Sequence, residues 1–204
     1  LHIFSGPWAN ASAARADGIA DAVEAEYEPS DFGGSEFWRA AAVIRDYMFT
    51  CPTRRHARAI DAHSTPVWRY RFAPKYCAEP DKSDANWVDL AFLHCYHTTE
   101  LYAVWGHAWP KVPVLRELGP RMKMVSRTVQ GFWGSFAREG DPNGNATAAG
   151  PWPRYRAPGG DRDTERGELP ERTLVLAEEL RVQPGYMADR CDFWDTLCGD
   201  DDCF

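Results

Sequence analysis

Between Val67 and Gly106 the chain changes character four times, and that order constrains its fold more than any other stretch. Val67-Trp68-Arg69-Tyr70-Arg71-Phe72 alternates β-branched or aromatic residues with partners of different polarity, the period of a strand. A charged loop through Cys77 and Pro80 follows, then an apolar run from Val88 to Leu93. That run delivers the chain to a short polar segment, His94-Cys95-Tyr96-His97-Thr98-Thr99-Glu100, which passes into Leu101-Tyr102-Ala103-Val104-Trp105 and stops at Gly106. Helices precede the strand, and in α/β architecture the functional groups sit just past strand ends. The expected fold class is therefore α/β.

The histidines of the polar segment are the first candidates for chemistry. Imidazole takes and returns a proton near neutral pH, so His97 or His94 facing a cleft can act as a general base and acid. The plainer reading is a histidine satisfied by local hydrogen bonds. A zinc site at His94, Cys95 and His97 is disfavoured, because the paired Cys-x-x-Cys spacing of closed zinc sites is missing. No metal or other cofactor is expected.

The rest of the chain reads mainly as helix. Ala11 to Tyr27 is Ala-rich with Ile19, Ala22 and Val23 at helical intervals, and Pro29 ends it. Ser35 to Thr50 repeats the pattern, with Phe37, Ala41, Ile44 and Met48 on one apolar face and Cys51-Pro52 as the expected stop. Thr53 to Ala62 resumes as a basic helix whose Arg54, Arg55 and Arg58 form a solvated face. Pro120 to Glu139 is the clearest helix, with Met124, Val125, Val129, Phe132, Trp133 and Phe136 as a core-packing stripe. Asp141-Pro142-Asn143-Gly144 is a turn, residues 146 to 170 an irregular surface segment, Thr173 to Leu176 a short strand, and Cys191-Asp192-Phe193-Trp194 opens a final helix.

Composition bounds the function. A net charge of -7 argues against a nucleic-acid partner, since that surface needs a basic face. No apolar stretch approaches the ~20 residues of a transmembrane segment. Six cysteines, together with the sequons at Asn10 and Asn145, favour an oxidising, secretory setting in which disulfides are the default. The chain opens on Leu1, with neither a methionine nor a signal peptide ahead of it, and is expected to be processed or cut from something longer.

Taken in order, Tyr47-Met48-Phe49-Thr50-Cys51-Pro52, Pro66-Val67-Trp68-Arg69-Tyr70-Arg71-Phe72 and His97-Thr98-Thr99-Glu100-Leu101-Tyr102-Ala103-Val104-Trp105-Gly106 resemble successive landmarks of the type B carboxylesterase and cholinesterase family. Phe132-Trp133-Gly134-Ser135-Phe136-Ala137-Arg138-Glu139-Gly140-Asp141-Pro142-Asn143, Trp152-Pro153-Arg154-Tyr155 and Cys191-Asp192-Phe193-Trp194 continue the resemblance, which spans about residues 35 to 195. It implies an α/β-hydrolase fold and hydrolysis of carboxylic esters by serine, histidine and an acidic residue. It also implies that His97 is the catalytic histidine, three residues ahead of Glu100-Leu101, with His94 the second choice. Thr98 stands where the family usually has glycine.

No Gly-x-Ser-x-Gly elbow occurs in the sequence, and no glutamate sits in the family's acid context. Residues 1–204 are therefore expected to be the C-terminal portion of a single α/β-hydrolase domain. The serine and the acid would come from an N-terminal portion of the same hydrolase. The resemblance implies a disulfide between Cys51 and Cys191, which leaves Cys77 with Cys95 and Cys198 with Cys203. Glu100 is expected to cap or pair locally instead of serving as the acid, because a side chain three residues on is poorly aimed at the imidazole. Tyr96, Tyr102 and Trp105, and beyond them Trp109, are candidates for the walls of a substrate pocket, though such residues are more often core. The implied function is a secreted serine ester hydrolase of esterase or lipase type. The alternatives are a cholinesterase-like binding or adhesion protein without the chemistry, or an independent disulfide-stabilised module.

Overall fold

A computed structural model describes residues 13–75, 95–107, 118–144, 150–159 and 169–198. The chain divides into two compact units, Leu1–His63 with Met187–Phe204, and Ser64–Tyr186.

The first unit is helical. It contains α1 (Ala13–Glu26), a 3-10 turn (Pro29–Phe32), α2 (Glu36–Arg45), a π-helical turn (Asp46–Thr50), α3 (Cys51–Ala62) and, after the second unit, a last helix at Ala188–Cys198. Ser35 caps α2 by accepting a hydrogen bond from Trp38 N. The chain does not stop at Cys51-Pro52 as the proline suggests. The wide turn carries it directly into α3, with Cys51 N–H still bonded back to Asp46 O, so the proline is taken up where the helix widens.

The buried face of α2 is also displaced by one residue from the face its pattern predicts. Ala42, Val43, Asp46 and Tyr47 are buried, whereas Phe37 is 61% and Met48 51% exposed. Polar bonding explains why Asp46 is inside: its carboxylate accepts from Tyr27 Oη at 3.1 Å and from Arg45 Nε at 2.6 Å. Trp194 Nε1 in turn donates to Tyr27 Oη at 2.7 Å. Around this network lie Ile19, Val23, Val43, Tyr47 and Trp194.

The arginines of α3 are not a solvated face. Arg54 is 2% exposed and donates from Nη1 to Asp192 Oδ1 at 2.7 Å, and Arg55 Nη1 donates to Asp195 Oδ1 at 2.9 Å. Their acceptors lie on the last helix, so burial of Arg54 is compensated by charge. A disulfide between Cys51 and Cys191, with Cα atoms 5.0 Å apart, joins the same two helices. Closing a loop of 140 residues stabilises by about 4 to 5 kcal/mol in the chain-entropy picture. Cys95 and Cys198 are disulfide-bonded as well, and Cys77 and Cys203 lie outside the described residues.

The second unit carries a three-stranded sheet in the order β1 (Arg69–Phe72), β2 (Thr173–Leu176), β3 (Arg181–Gln183). β1 and β2 are parallel, with Arg69 opposite Thr173 and Phe72 opposite Leu176; β3 runs antiparallel to β2. All of β2 is buried, as a continuous apolar run between covered faces predicts. Among the described residues of the crossover are α4 (Leu101–Trp105) and α5 (Pro120–Glu139), which pack on each other. On α5 the buried apolar positions are Met122, Val125, Val129 and Phe132, while Met124 and Phe136 of the expected stripe are exposed. The buried stripe is therefore shifted around the helix from the predicted one, and Met122, Ser126 and Ser135 belong to it.

Part of the expected surface segment after Ala146 is core. Trp152 Nε1 donates to Arg69 O at 3.1 Å, and its ring packs edge-on against Phe132 with centroids 5.2 Å apart. Tyr155, fully buried, donates its hydroxyl to Glu171 Oε1 at 2.9 Å. Each brings its polar group to a partner, which is the condition for burying tyrosine or tryptophan.

Candidate active site

His97 opens a tight turn of residues 97–100 that leads into α4, and its side chain is exposed. Thr99 closes the turn. Its N–H donates to the carbonyl oxygen of Tyr96 at 3.1 Å, and its Oγ1 donates to the same oxygen at 2.7 Å. Leu101 N then donates to Thr98 O at 3.1 Å, and Ala103 N and Val104 N donate to Glu100 O at 2.9 and 3.0 Å, which starts the helix. Glu100 thus caps α4 through its backbone, with no side-chain capping bond.

Thr98 has φ 80°, in the left-handed region. Glycine adopts that conformation freely, whereas a β-branched residue pays about 1–2 kcal/mol for it. A strained residue beside the candidate histidine is maintained only because its surroundings hold it.

Those surroundings are specific. The hydroxyl oxygens of Tyr96 and Tyr102 lie 2.9 Å apart and share a hydrogen bond across the turn. Burial, then that bond, pushes the Tyr96 hydroxyl pKa well above its ordinary value. On the far side, Ser126 Oγ on α5 donates to Ala103 O at 2.7 Å and Gln130 Nε2 donates to Val104 O at 3.2 Å. Gly106 ends α4 at φ 72°, and a Cβ there would sit 2.5 Å from Gln130 Nε2. The five-residue helix is thereby fixed to a much longer one. Burial, and then the charge of Glu100, hold the Tyr70 hydroxyl on β1 above its ordinary pKa.

Tyr96 and Tyr102 are half-buried and engaged with each other, while Trp105 is 67% exposed. His94, Trp109, Asn10 and Asn145 lie outside the described residues. Thr99, Ser126 and Gln130 escape the sequence reading. Of the three, only Ser126 leaves a signal there, as a polar residue inside the apolar stripe of α5.

The chain matches the Carboxylesterase family over residues 6–194. It is 32% identical to carboxylesterase 5A of Mus musculus over 156 residues, 74% of this chain and 24% of that protein. To acetylcholinesterase of Bungarus fasciatus it is 27% identical over 154 residues, covering 74% of this chain and 22% of that protein. To para-nitrobenzyl esterase of Bacillus subtilis (strain 168) it is 28% identical over 142 residues, 69% of this chain and 24% of that protein. The chain thus spans about a quarter of the length of these curated relatives. Among solved structures, a thermophilic pNB esterase superposes with a TM-score of 0.57 at 23% identity, covering 86% of this chain and 30% of that one. A Geobacillus stearothermophilus carboxylesterase gives 0.55 at 23% identity, covering 87% and 31%. The fold is α/β, and it is part of the α/β-hydrolase fold of those esterases.

Proposed function

The chain belongs to the carboxylesterase family, and from that premise we propose that it is the histidine-bearing portion of a secreted serine esterase of esterase or lipase type. The observation that carries this reading is the position of His97: exposed, on a turn pinned from both sides, at the start of the short helix that Gly106 ends. In this reading residues 1–204 are the C-terminal portion of one α/β-hydrolase domain. The serine and the acid belong to its N-terminal portion, in keeping with the absence of a Gly-x-Ser-x-Gly elbow from this sequence.

His97 takes the proton from the serine hydroxyl as that oxygen attacks the ester carbonyl carbon. The tetrahedral intermediate collapses, the alcohol leaves with the proton from the imidazolium, and the acyl-enzyme remains. Water repeats the sequence with His97 again as base and releases the acid. The partner carboxylate holds the imidazole in the required tautomer and stabilises its charged form. The substrate is an uncharged or lipid-like carboxylic ester. Trp105, the most exposed of the three candidate aromatics, is the one best disposed to meet it.

Secretion is supported by the Cys51–Cys191 disulfide, since such bonds persist in oxidising compartments. Asn10 and Asn145 are then the glycosylation sites. Treating the complete protein with a fluorophosphonate probe under native conditions, then separating its fragments after proteolysis, tests the reading. The label is expected on a serine outside this sequence. A protein that takes no label under conditions where it is folded contradicts the catalytic assignment.

A further inference from the structure

We propose that Thr99 is a positioning residue for His97, acting through its side-chain hydroxyl. The inference rests on the catalytic reading of His97 and deepens it. Three observations carry it. First, Thr99 is 1% exposed, and its Oγ1 and N–H both donate to Tyr96 O, at 2.7 and 3.1 Å. A carbonyl oxygen has two lone pairs, and here both are used by one residue on the opposite side of the histidine. Second, Thr98 between them sits at φ 80°, a conformation that relaxes unless its neighbours over-determine it. Third, the two ends of the turn are separately fastened: Tyr96 by the hydroxyl of Tyr102 at 2.9 Å, and the helix beyond Thr99 by Ser126 at Ala103 O.

His97-Thr98 is the span between these fastenings, and the two bonds from Thr99 to Tyr96 O cross it, the hydroxyl bond being the shorter. With its donor residue almost fully buried, this hydroxyl-to-carbonyl bond holds geometry more firmly than the same bond between two surface groups. Valine fills nearly the same volume without the hydroxyl, so the residue type itself points to the bond as what threonine adds. Serine keeps the bond and loses a methyl group. A general base works only within hydrogen-bond reach of the proton it takes, and a misplacement of about 1 Å costs on the order of a hundredfold in rate.

The test uses the complete protein, a chromogenic carboxylic ester, and the variants Thr99→Val, Thr99→Ser, Tyr102→Phe and His97→Ala, each with kcat, KM and a melting temperature. Thr99→Val is expected to lower kcat by about ten- to a hundredfold with KM within about twofold, and Thr99→Ser to restore kcat to within about threefold of wild type. Tyr102→Phe loosens the other anchor of Tyr96 and lowers kcat in the same direction by a smaller factor. If Thr99→Val melts lower but keeps its kcat, the hydroxyl is only structural and the proposal is overturned. Should that variant not fold, Tyr102→Phe decides, and an unchanged kcat there overturns it equally. A failure of the catalytic reading is separately visible, because His97→Ala would then turn over substrate like the wild type.

Discussion

Arg54 and Asp192, 138 positions apart in the chain, meet at 2.7 Å between Nη1 and Oδ1, and Asp192 directly follows Cys191 of the disulfide to Cys51. The arginine is almost fully buried, and Asp195 Oδ2 stands 3.6 Å from the same nitrogen. A buried guanidinium needs its acceptors, and losing a hydrogen bond to a charged group leaves part of its desolvation uncompensated. Asp192→Ala is therefore expected to destabilise the protein by about 1–3 kcal/mol, with Asp195 limiting the damage. Denaturant unfolding with the disulfide intact measures it. An unchanged midpoint would mean that the bond contributes nothing to stability.

Tyr27 supplies a prediction about pH. Its hydroxyl pKa is raised above the ordinary 10.0, first by burial and next by the Asp46 carboxylate. The folded state therefore keeps a proton that the unfolded chain releases, so stability is fully present below pH 10.0 and falls as the pH climbs beyond it toward the folded value. Tyr47, Tyr70 and Tyr96 are shifted in the same direction and add to the slope. Tyr27→Phe is expected to make the loss of stability between about pH 10 and pH 11 shallower, measured as unfolding free energy against pH. An identical slope in the variant would contradict the assignment.

Thr98 supplies a prediction about strain. Replacing it with glycine removes the left-handed penalty of about 1–2 kcal/mol but adds unfolded-state entropy of about 0.4–1 kcal/mol. Thr98→Gly is thus expected to stabilise the fold by up to about 1.5 kcal/mol, seen as a higher melting temperature. A lower one would show that the side chain contributes more than the backbone costs.

Helical periodicity located the helices, and it misplaced their buried faces where something non-local intervened. The π-helical turn after Arg45 adds no punctuation to the sequence, so Phe37 and Met48 read as inward although Val43 and Tyr47 are the buried residues. Asp46 is inside because Tyr27, 19 residues away, donates to it, and no local pattern announces such a partner. The same holds for Arg54, whose acceptors are on the last helix. Trp152 and Tyr155 lie in a stretch without periodicity, and only the carbonyl of Arg69 and the carboxylate of Glu171 make their burial affordable. The family was legible from six short motifs in order. The turn at His97 was legible as a place but not as a mechanism. The glycine that the family usually has at the position of Thr98 hints at left-handed backbone there, but nothing in the sequence hints that Thr99 closes the turn.

The most direct measurement is the turnover of a carboxylic ester by the complete protein carrying His97→Ala. The variant is expected to fold like the wild type, while kcat falls by at least about a thousandfold. Turnover within a few-fold of wild type, in a folded variant, would show that His97 is not the general base.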